Sequence, residues 1–430
     1  MAYTETTTTS YGSRVKSSCG AIGTGIVMFL AATALLWWNE GRAVKTADML
    51  DEAQGACVEL PNPAKIDRSL DGELVCASAF ATTEDSLCDA DFGVGAKAIS
   101  LQRKVEYYQY VEHSESKKED KLGGKEVTTT TYTYSKEWVS SPVESSEFHD
   151  PAYQQKNTIL ATVEDQQQWA QNVSFGAYKL NESLIHSISS KEPLELKLAD
   201  DLLKQLDNNA KIAYERFYGA TTTKPAAKPA AVPDSTGTAT ATAEPSPYEF
   251  IHVNKNEIYY GRTPGAPEVG DVKVTFEIVV PAKVTVIAQT TDDTFKAFKA
   301  KNGKTFQTLV MGKKDMAEIF DSENSANSTW TWILRIAGIF LVVFSLKMIF
   351  GFIETLLKVV PFVSNIVGWG VGIVCTIVGV VWSLIVIAVA WIFYRPLLGI
   401  ALLVIAGLLI WLFAFKGKDK IKELANKKKE

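Results

Sequence analysis

The sequence has few of the residues that build metal sites and reactive centres. Its 430 residues include only four histidines and five cysteines. The histidines lie far apart in the chain and none belongs to a metal-ligand motif: His113, His149, His186 and His252. The cysteines lack the close paired spacing of a zinc site. The sequence therefore predicts no metal and no cofactor.

The sequence also lacks motifs for nucleotide chemistry and for nucleic-acid recognition. No glycine-rich phosphate loop precedes a predicted helix, and no nucleophile elbow is present. The net charge is −5, and no basic stripe with interleaved aromatic residues occurs. We therefore expect neither an enzyme nor a nucleic-acid-binding protein.

Long apolar runs are what the chain has instead. Ala21–Trp38 contains eighteen residues without a charge, about 27 Å as a helix, which matches the hydrocarbon core of a bilayer. A cleaved signal peptide would need small residues at its end, but this run ends in two tryptophans that suit a membrane interface. The sequence predicts an uncleaved transmembrane helix at 21–38 after an N-terminal tail at 1–20.

Three further apolar runs lie near the C-terminus, at 333–353, 366–393 and 397–415. Charges and Pro361 separate the first from the second, and Tyr394, Arg395 and Pro396 separate the second from the third. Together with the first run, they predict four transmembrane helices.

Basic residues predict the orientation of these helices. Seven lysines follow the last apolar run within the tail 416–430, whereas the short turn before that run offers only Arg395. The C-terminus, and with four spans the N-terminus, should be cytosolic, and residues 39–328 should be lumenal. Lys427 and Lys428 near the chain end resemble a dilysine retrieval signal of the endoplasmic reticulum.

Residues 39–328 predict an α+β domain rich in strands. Alternating polar and apolar residues at 104–112 and 126–138 predict a long hairpin, and 271–278 with 283–290 predict a second. Spaced leucines at 192–218 predict an amphipathic helix. The Pro/Ala/Thr-rich segment 221–247 predicts a disordered loop that divides the domain into two lobes.

Modifications of this domain depend on its compartment. Asn172 and Asn181 begin glycosylation triplets. In an oxidising lumen, Cys57, Cys76 and Cys88 could supply one disulfide, or all three could stay unpaired. The sequence leaves both possibilities open.

Charges inside the predicted spans raise the possibility of transport. Arg335 and Lys347 lie in the 333–353 run, and charges within a membrane often mark a pathway. Each lies near an end of its run, from which a long side chain reaches the interface. A structural role is therefore favoured, and glycines at 368, 370, 372 and 379 predict close helix packing.

Several short blocks resemble the transmembrane protein 43 family, also called LUMA. The first block, NEGRAVKTA, begins with Asn39, Glu40, Gly41 and Arg42 directly after the first span. VEYYQYVE, YTYSKEW, PEVGDVKVTF and VPFV follow in family order, and AWIFYRPL contains Tyr394, Arg395 and Pro396. Each block is short, but the ordered set extends from the first span to the last.

The resemblance implies four spans, cytosolic termini and a large lumenal domain. It also implies residence in the endoplasmic reticulum and inner nuclear membrane, self-association, and contact with lamina-associated proteins. The family has no established catalytic residues. The sequence therefore predicts a non-enzymatic scaffold whose partners are the lipid bilayer, further copies of itself and nuclear-envelope proteins. A channel or channel-regulating subunit, or a lumenal hydrolase, is the alternative.

Overall fold

The computed structural model of the protein describes residues 2–219, 247–359 and 361–396, and position 404 by itself. The helices are α1 (Tyr11–Ala56), α2 (Glu182–Ile185), α3 (Asp200–Tyr218), α4 (Met316–Leu357) and α5 (Pro361–Tyr394). The strands are β1 (Tyr3–Thr9), β2 (Cys57–Glu59), β3 (Leu74–Thr83), β4 (Ser86–Asp89), β5 (Val94–Lys97), β6 (Ser100–Asp120), β7 (Glu126–Val139), β8 (Gln166–Trp169), β9 (Val173–Phe175), β10 (Tyr178–Lys179), β11 (Lys191–Pro193), β12 (Ile251–Asn254), β13 (Glu257–Tyr260), β14 (Val272–Val279), β15 (Ala282–Thr291), β16 (Thr294–Lys296), β17 (Phe298–Lys299), β18 (Thr305–Phe306) and β19 (Thr308–Met311).

Helices α1, α4 and α5 pack side by side into a bundle. Helix α4 is antiparallel to α1, because Gly25 meets Ile349 whereas the later Leu36 meets the earlier Gly338. It is also antiparallel to α5, because Gly368 meets Glu354 whereas Gly379 meets Val343. A Cβ atom on Gly338 would lie 2.5 Å from the Leu36 side chain, so only glycine permits this approach. Of the glycines predicted to allow close packing, Gly368 and Gly379 lie against α4, whereas Gly370 and Gly372 have open space.

Three helices of the described residues are long and apolar enough to cross a membrane, namely α1, α4 and α5. They contain the predicted runs 21–38, 333–353 and 366–393. The predicted breaks are also present, since α4 ends at Leu357 and α5 ends at Tyr394. The fourth predicted span at 397–415 and the tail at 416–430 lie outside the described residues.

Helix α1 is much longer than the apolar run that it contains. It continues without interruption for eighteen residues beyond Trp38, to Ala56. Helix α4 likewise begins at Met316, well before its apolar run. These polar extensions enter the domain, where Met49 and Phe320 share one buried cluster with Ile287 of β15. The domain is thus built directly on the helix ends.

The domain contains two large sheets that define two lobes. The first lobe has the strand order β1-β7-β6-β14-β13-β12, with β8 on β6 and β11 on β14. The second lobe has the order β19-β15-β16-β10-β9-β3-β2, and β15 also pairs with β3. Each lobe takes strands from before and after the predicted loop at 221–247, so the expectation that this loop divides the lobes is wrong. The segment 220–246 itself lies outside the described residues.

The cores of the two lobes are formed by strand side chains, which point alternately to the two faces of each sheet. In β14, Val272, Val274 and Phe276 point to one face and are fully buried against α3 and neighbouring strands. Strand β15 is buried on both faces, because Val286 belongs to the core of the second lobe and Ile287 contacts α1 and α4. An apolar strand is the expected result of burial on two sides.

One of the two predicted hairpins is present. Strands β6 and β7 pair antiparallel from Tyr107 opposite Val139 to Asp120 opposite Glu126. The second predicted hairpin is wrong: β14 and β15 exist, but they belong to different lobes. The short connection near Pro281 is therefore a crossing between sheets.

The predicted helix at 192–218 is shorter in the structure. Helix α3 begins at Asp200, whereas Lys191–Pro193 forms strand β11 on β14. Asp200 and Asp201 lie in the first turn of α3, where negative charge favours the helix dipole.

All five cysteines lie in the described part of the chain and are free thiols. Cys57 and Cys76 are buried in one cluster, and burial raises the pKa of Cys57 to about 12 and that of Cys76 to about 11. The thiols are therefore poor nucleophiles at neutral pH.

The N-terminal strand adds an edge to the first lobe. Strand β1 pairs antiparallel with β7, with Tyr3 opposite Tyr132 and Thr9 opposite Glu126. The chain then reverses at Ser10, whose hydroxyl caps α1. Residues 3–9 therefore belong to the sheet and are not a separate tail.

The tip of the β6–β7 hairpin contacts the first turn of α1. The Arg14 guanidinium is buried and pairs with Asp120 at 2.7 Å and with Glu126 at 3.2 Å. The Gly123 amide donates to the Val359 carbonyl just after the end of α4. Residues 1–20 and 39–328 were expected on opposite faces of a bilayer, but in this structure they touch.

A buried carboxyl in the first lobe makes the stability of the domain depend on pH. Asp271 is 2 % exposed, and its Oδ2 atom accepts hydrogen bonds from the Tyr259 hydroxyl and the Glu268 amide. Burial raises the pKa of Asp271 to about 6. Its proton is bound more tightly in the folded protein, so its contribution to stability is complete below about pH 4 and is lost as the pH rises through 6.

We therefore expect the first lobe to lose about 1 kcal/mol between pH 5 and pH 7 because of Asp271. Asp271→Asn removes the titration and should flatten this part of the profile. Hydrogen exchange of the β13 and β14 amides in the full-length protein measures the effect at each pH. The same slope for Asp271→Asn and for the unaltered protein would contradict the assignment.

Candidate functional site

A group of buried and half-buried polar side chains lies where the bundle meets the domain. We call it the polar junction and define it as Asn39, Glu40, Arg42, Asn327, Thr331, Arg335 and Trp391. Helix α1 carries the first three because it continues past Trp38 without a break. Asn39 and Glu40 are 0 % and 1 % exposed, which is rare for such residues unless they are paired.

Glu40 is held by three hydrogen bonds from two other helices. Arg335 of α4 donates from Nε to Oε1 and from Nη2 to Oε2, each at 2.7 Å. Trp391 of α5 donates its indole N–H to Oε2 at 2.6 Å. The Arg335 guanidinium lies between the rings of Trp332 and Trp391, at 4.9 and 5.3 Å from their centroids. A bidentate pair of this kind fixes orientation as well as distance.

Arg42 and Asn39 form the second half of the polar junction. Arg42 donates to the Asn39 and Asn327 side-chain oxygens and to the Thr331 hydroxyl, over 2.9 to 3.4 Å. The Asn39 amide donates to the Thr331 carbonyl at 3.0 Å. Asn327 donates back to the Ala43 carbonyl. The polar side chains of α1 and α4 therefore hydrogen-bond to each other at the level where the apolar run of each helix meets its polar extension.

Gly41 of α1 lies directly against the Tyr394 ring of α5. A Cβ atom on Gly41 would lie 2.6 Å from Cζ of Tyr394, so no larger residue fits without movement of the ring. The same ring packs against Trp37 with centroids 6.0 Å apart. Glycine at this position allows the end of α5 to reach the polar junction.

The chemical capacity of the polar junction is limited by its own pairing. Both Glu40 oxygens are occupied by donors, so this carboxylate is not available as a general base. Among residues 2–219, 247–359 and 361–396, no group of three or more His, Cys, Asp or Glu side chains could hold a metal ion. The arrangement joins three helices, and one side of it borders a cavity of about 250 Å³.

A second set of residues from the family blocks fastens the hairpin to its neighbouring loop. The Tyr134 hydroxyl donates to Glu112 at 2.6 Å, and the same carboxylate bonds the backbone and the ring of His149. The His149 ring stacks on Tyr132 with centroids 3.9 Å apart. These contacts hold the loop after β7 against the polar face of the hairpin.

The structure brings together the two signature blocks predicted from the sequence. Gly41 lies against Tyr394, and Glu40 lines one cavity with Arg395, although the blocks are some 350 residues apart in the chain. Pro396 follows the end of α5 and takes no part in the polar junction. Lys427 and Lys428 lie outside the described residues.

The two glycosylation candidates have different surroundings. Asn172 is exposed, and its side chain bonds Asp85 at 3.2 Å. Asn181 caps α2, and its amide nitrogen donates to the Phe295 carbonyl and to Gln307, each at 3.0 Å. A glycan on Asn181 would have to displace these contacts, whereas Asn172 offers a surface nitrogen. Glycosylation of both stays a prediction.

Sequence reasoning missed the partner of Arg335. It assigned this arginine to the interface by its long side chain, but the guanidinium is 12 % exposed and paired. A usable signal was present: Glu40 lies two residues after the first apolar run, and Arg335 lies two residues into the second. In antiparallel helices these opposite charges fall at one level.

Fold and site together define an integral membrane protein in which apolar helices carry an α+β domain and are joined by a buried polar network. The model of the family described as Transmembrane protein 43 matches residues 107–396. The chain belongs to this family.

Curated relatives agree over nearly the whole chain. Transmembrane protein 43 of Homo sapiens is 29% identical over 405 residues, which cover 92% of this chain and 89% of the relative. The Rattus norvegicus protein is 29% identical over 394 residues, covering 89% and 87%. A Drosophila melanogaster homolog is 24% identical over 394 residues, covering 89% and 91%. No solved structure matches the chain.

Proposed function

We propose that this protein is a non-enzymatic scaffold of the endoplasmic reticulum and inner nuclear membrane, which acts through self-association and partner binding. The observation that carries the proposal is the use made of the signature residues. Glu40 and Gly41 form packed contacts between helices, and neither presents a free reactive group. Residues with such contacts hold the three helices in a fixed arrangement. A protein that associates with further copies and with partners requires a surface of fixed arrangement.

A hydrolase is less well supported by the geometry. His113 contacts Ser135 at 2.9 Å and Glu137 at 2.8 Å, which resembles a catalytic triad in composition. Both contacts use the same ring nitrogen, Nε2. In a working triad the nucleophile and the acid occupy opposite nitrogens of the imidazole. The exposed strand surface also gives no shelter from water.

One observation favours a channel as the second candidate. Lys347 is exposed beside α5 and lines a cavity of about 430 Å³ together with Gly372 and Thr376. A cation within an apolar helix is a common element of ion pathways. Ion flux through liposomes that Lys347→Gln abolishes would assign this function, and liposomes without flux would remove it.

The scaffold proposal predicts that Lys427 and Lys428 keep the protein in the endoplasmic reticulum. Lys427→Ser with Lys428→Ser should move a fluorescently tagged protein from the endoplasmic reticulum towards the cell surface. Lys418→Ser with Lys420→Ser removes the same charge from the tail and should leave the location unchanged.

Self-association is tested in the same cells with two differently tagged copies. We expect one tag to retrieve the other after crosslinking in intact membranes. Exclusive plasma-membrane signal for the unaltered protein, or copies that never crosslink, would contradict the proposal.

A further inference from the structure

The cavity beside the polar junction opens where the apolar part of the bundle ends. Its lining includes Glu40 of α1, Trp332 and Arg335 of α4, and Arg395 just after α5. The volume of about 250 Å³ is large enough for a small polar group and too small for a folded partner. Three chain segments contribute, so the cavity exists only in the assembled bundle.

The charges of the lining favour an anion. Glu40 is neutralised by its bidentate contact with Arg335. Arg395 is exposed, and none of the carboxylates in residues 2–219, 247–359 and 361–396 pairs with it. The lining therefore has one positive charge in excess, that of the exposed Arg395.

The polar groups of the lining can donate hydrogen bonds. Ser328 and Asn324 of α4 add a hydroxyl and an amide to the guanidinium groups of the lining. A phosphate group offers several acceptor oxygens and pairs well with arginine. The combination of arginines, hydroxyl and amide matches phosphate chemistry.

An apolar surface leads away from the same cavity. Trp332, Ile336 and Phe340 follow at intervals of four residues, so they form one row on α4. Their exposed fractions are 58, 52 and 70 %. Phe393, near the end of α5, is also 70 % exposed. Acyl chains attached to a bound phosphate would lie along this row, within the hydrocarbon that surrounds the bundle.

We propose that this cavity binds the headgroup of a membrane phospholipid through its phosphate, with Arg395 as the main contact. Ser328 and Asn324 donate to the remaining phosphate oxygens. The paired Arg335 and Glu40 form the back wall and keep the cavity open. The site goes beyond the scaffold role, since it concerns the lipid and not the assembly of copies.

The experiment uses the full-length protein, stripped of lipid in detergent, and native mass spectrometry to count bound molecules. The probes are phosphatidylglycerol, a diacylglycerol with the same acyl chains, and glycerol 3-phosphate. We expect the unaltered protein to retain one phosphatidylglycerol, and we expect no retention of diacylglycerol or glycerol 3-phosphate at equal concentration.

Variants identify the residue responsible. Arg395→Gln should weaken retention of phosphatidylglycerol at least tenfold, and Arg395→Lys should restore most of it. Arg68→Gln removes one positive charge from an exposed position on the domain and should have no effect. Melting temperatures in detergent confirm that each variant is folded. Ser328→Leu fills the cavity without removing a charge, and it should also weaken the retention of phosphatidylglycerol.

Three results would overturn the proposal. Equal retention by Arg395→Gln and the unaltered protein would remove the assigned contact. Equal retention of diacylglycerol would show that acyl chains alone are bound. Displacement of the lipid by an equal concentration of glycerol 3-phosphate would assign the cavity to a soluble phosphate compound.

Discussion

Replacement of Glu40 by alanine is expected to destabilise the bundle by about 3–5 kcal/mol, the typical cost of leaving a buried charge without its partner. Arg335 would keep its charge in a site where it is 12 % exposed, with no other acid bonded to it among the residues that the structure describes, and Trp391 would lose its acceptor. A clear fall in the melting temperature of the full-length protein in detergent is the measurement. Faster degradation in cells should accompany it.

Two controls separate the buried pair from charge as such. Glu84→Ala breaks an ion pair of the same 2.7 Å length between exposed side chains and should leave the melting temperature unchanged. Glu40→Met together with Arg335→Met removes both charges and should recover most of the loss, since neither partner is left alone. Equal melting temperatures for Glu40→Ala and Glu84→Ala would refute the assigned importance of the pair.

Gly41→Ala is expected to cost about 1–3 kcal/mol, because the added methyl group would overlap the Tyr394 ring and overpacking has costs of this size. The matched control is Gly55→Ala in the same helix. A Cβ atom on Gly55 would have no neighbour within 4 Å, so alanine there should gain up to about 1 kcal/mol from helix propensity. Thermal denaturation in detergent compares the two variants.

A double substitution tests the cause of the Gly41 effect. Tyr394→Ala alone removes packing against Trp37 and should destabilise the bundle. Combined with Gly41→Ala, it also provides space for the new methyl group, so the double variant should lose less than the sum of the two single losses. Strict additivity would show that the Tyr394 ring is not what excludes alanine.

Hydropathy was sufficient to place the three apolar helices that the structure describes, because lipid imposes a length and a composition that can be read directly from the chain. It could not show that α1 continues for eighteen residues beyond Trp38, since that polar extension is stabilised by contacts of Met49 and Leu50 with residues near position 320. Local sequence does not contain that information. The long helix is the result of tertiary packing.

The two predicted hairpins show the same limit. Strands β6 and β7 are neighbours because the short turn at 121–125 joins two alternating segments, which pair from Asp120 opposite Glu126 onwards. Strands β14 and β15 are just as close in sequence, but Val279 pairs with Ser100 and Val284 pairs with Ala79. Partners that are distant in the sequence decide the outcome.

The polar junction was half visible in the sequence. The first and last blocks of the family resemblance, NEGRAVKTA and AWIFYRPL, contain Asn39, Glu40, Arg42 and Trp391. Thr331 and Arg335 gave no such signal, because an isolated threonine or arginine near a span end has several ordinary explanations. Only the antiparallel placement of α1 and α4 reveals that they converge on the residues Asn39, Glu40 and Arg42.

The docked N-terminal strand has a consequence for membrane insertion. The pairing of β1 with β7 and the Arg14 ion pairs place residues 3–14 beside the hairpin, at the far end of the apolar part of α1 from the domain. A threonine-rich sheet edge cannot lie in hydrocarbon, where unpaired backbone groups have no water to bond. Docking of β1 and full passage of α1 through a bilayer therefore exclude each other. Insertion of α1 must therefore separate β1 from β7 and the hairpin tip from Arg14 and Val359. Strand β7 then becomes an open edge with free amide and carbonyl groups that a strand from another molecule can fill.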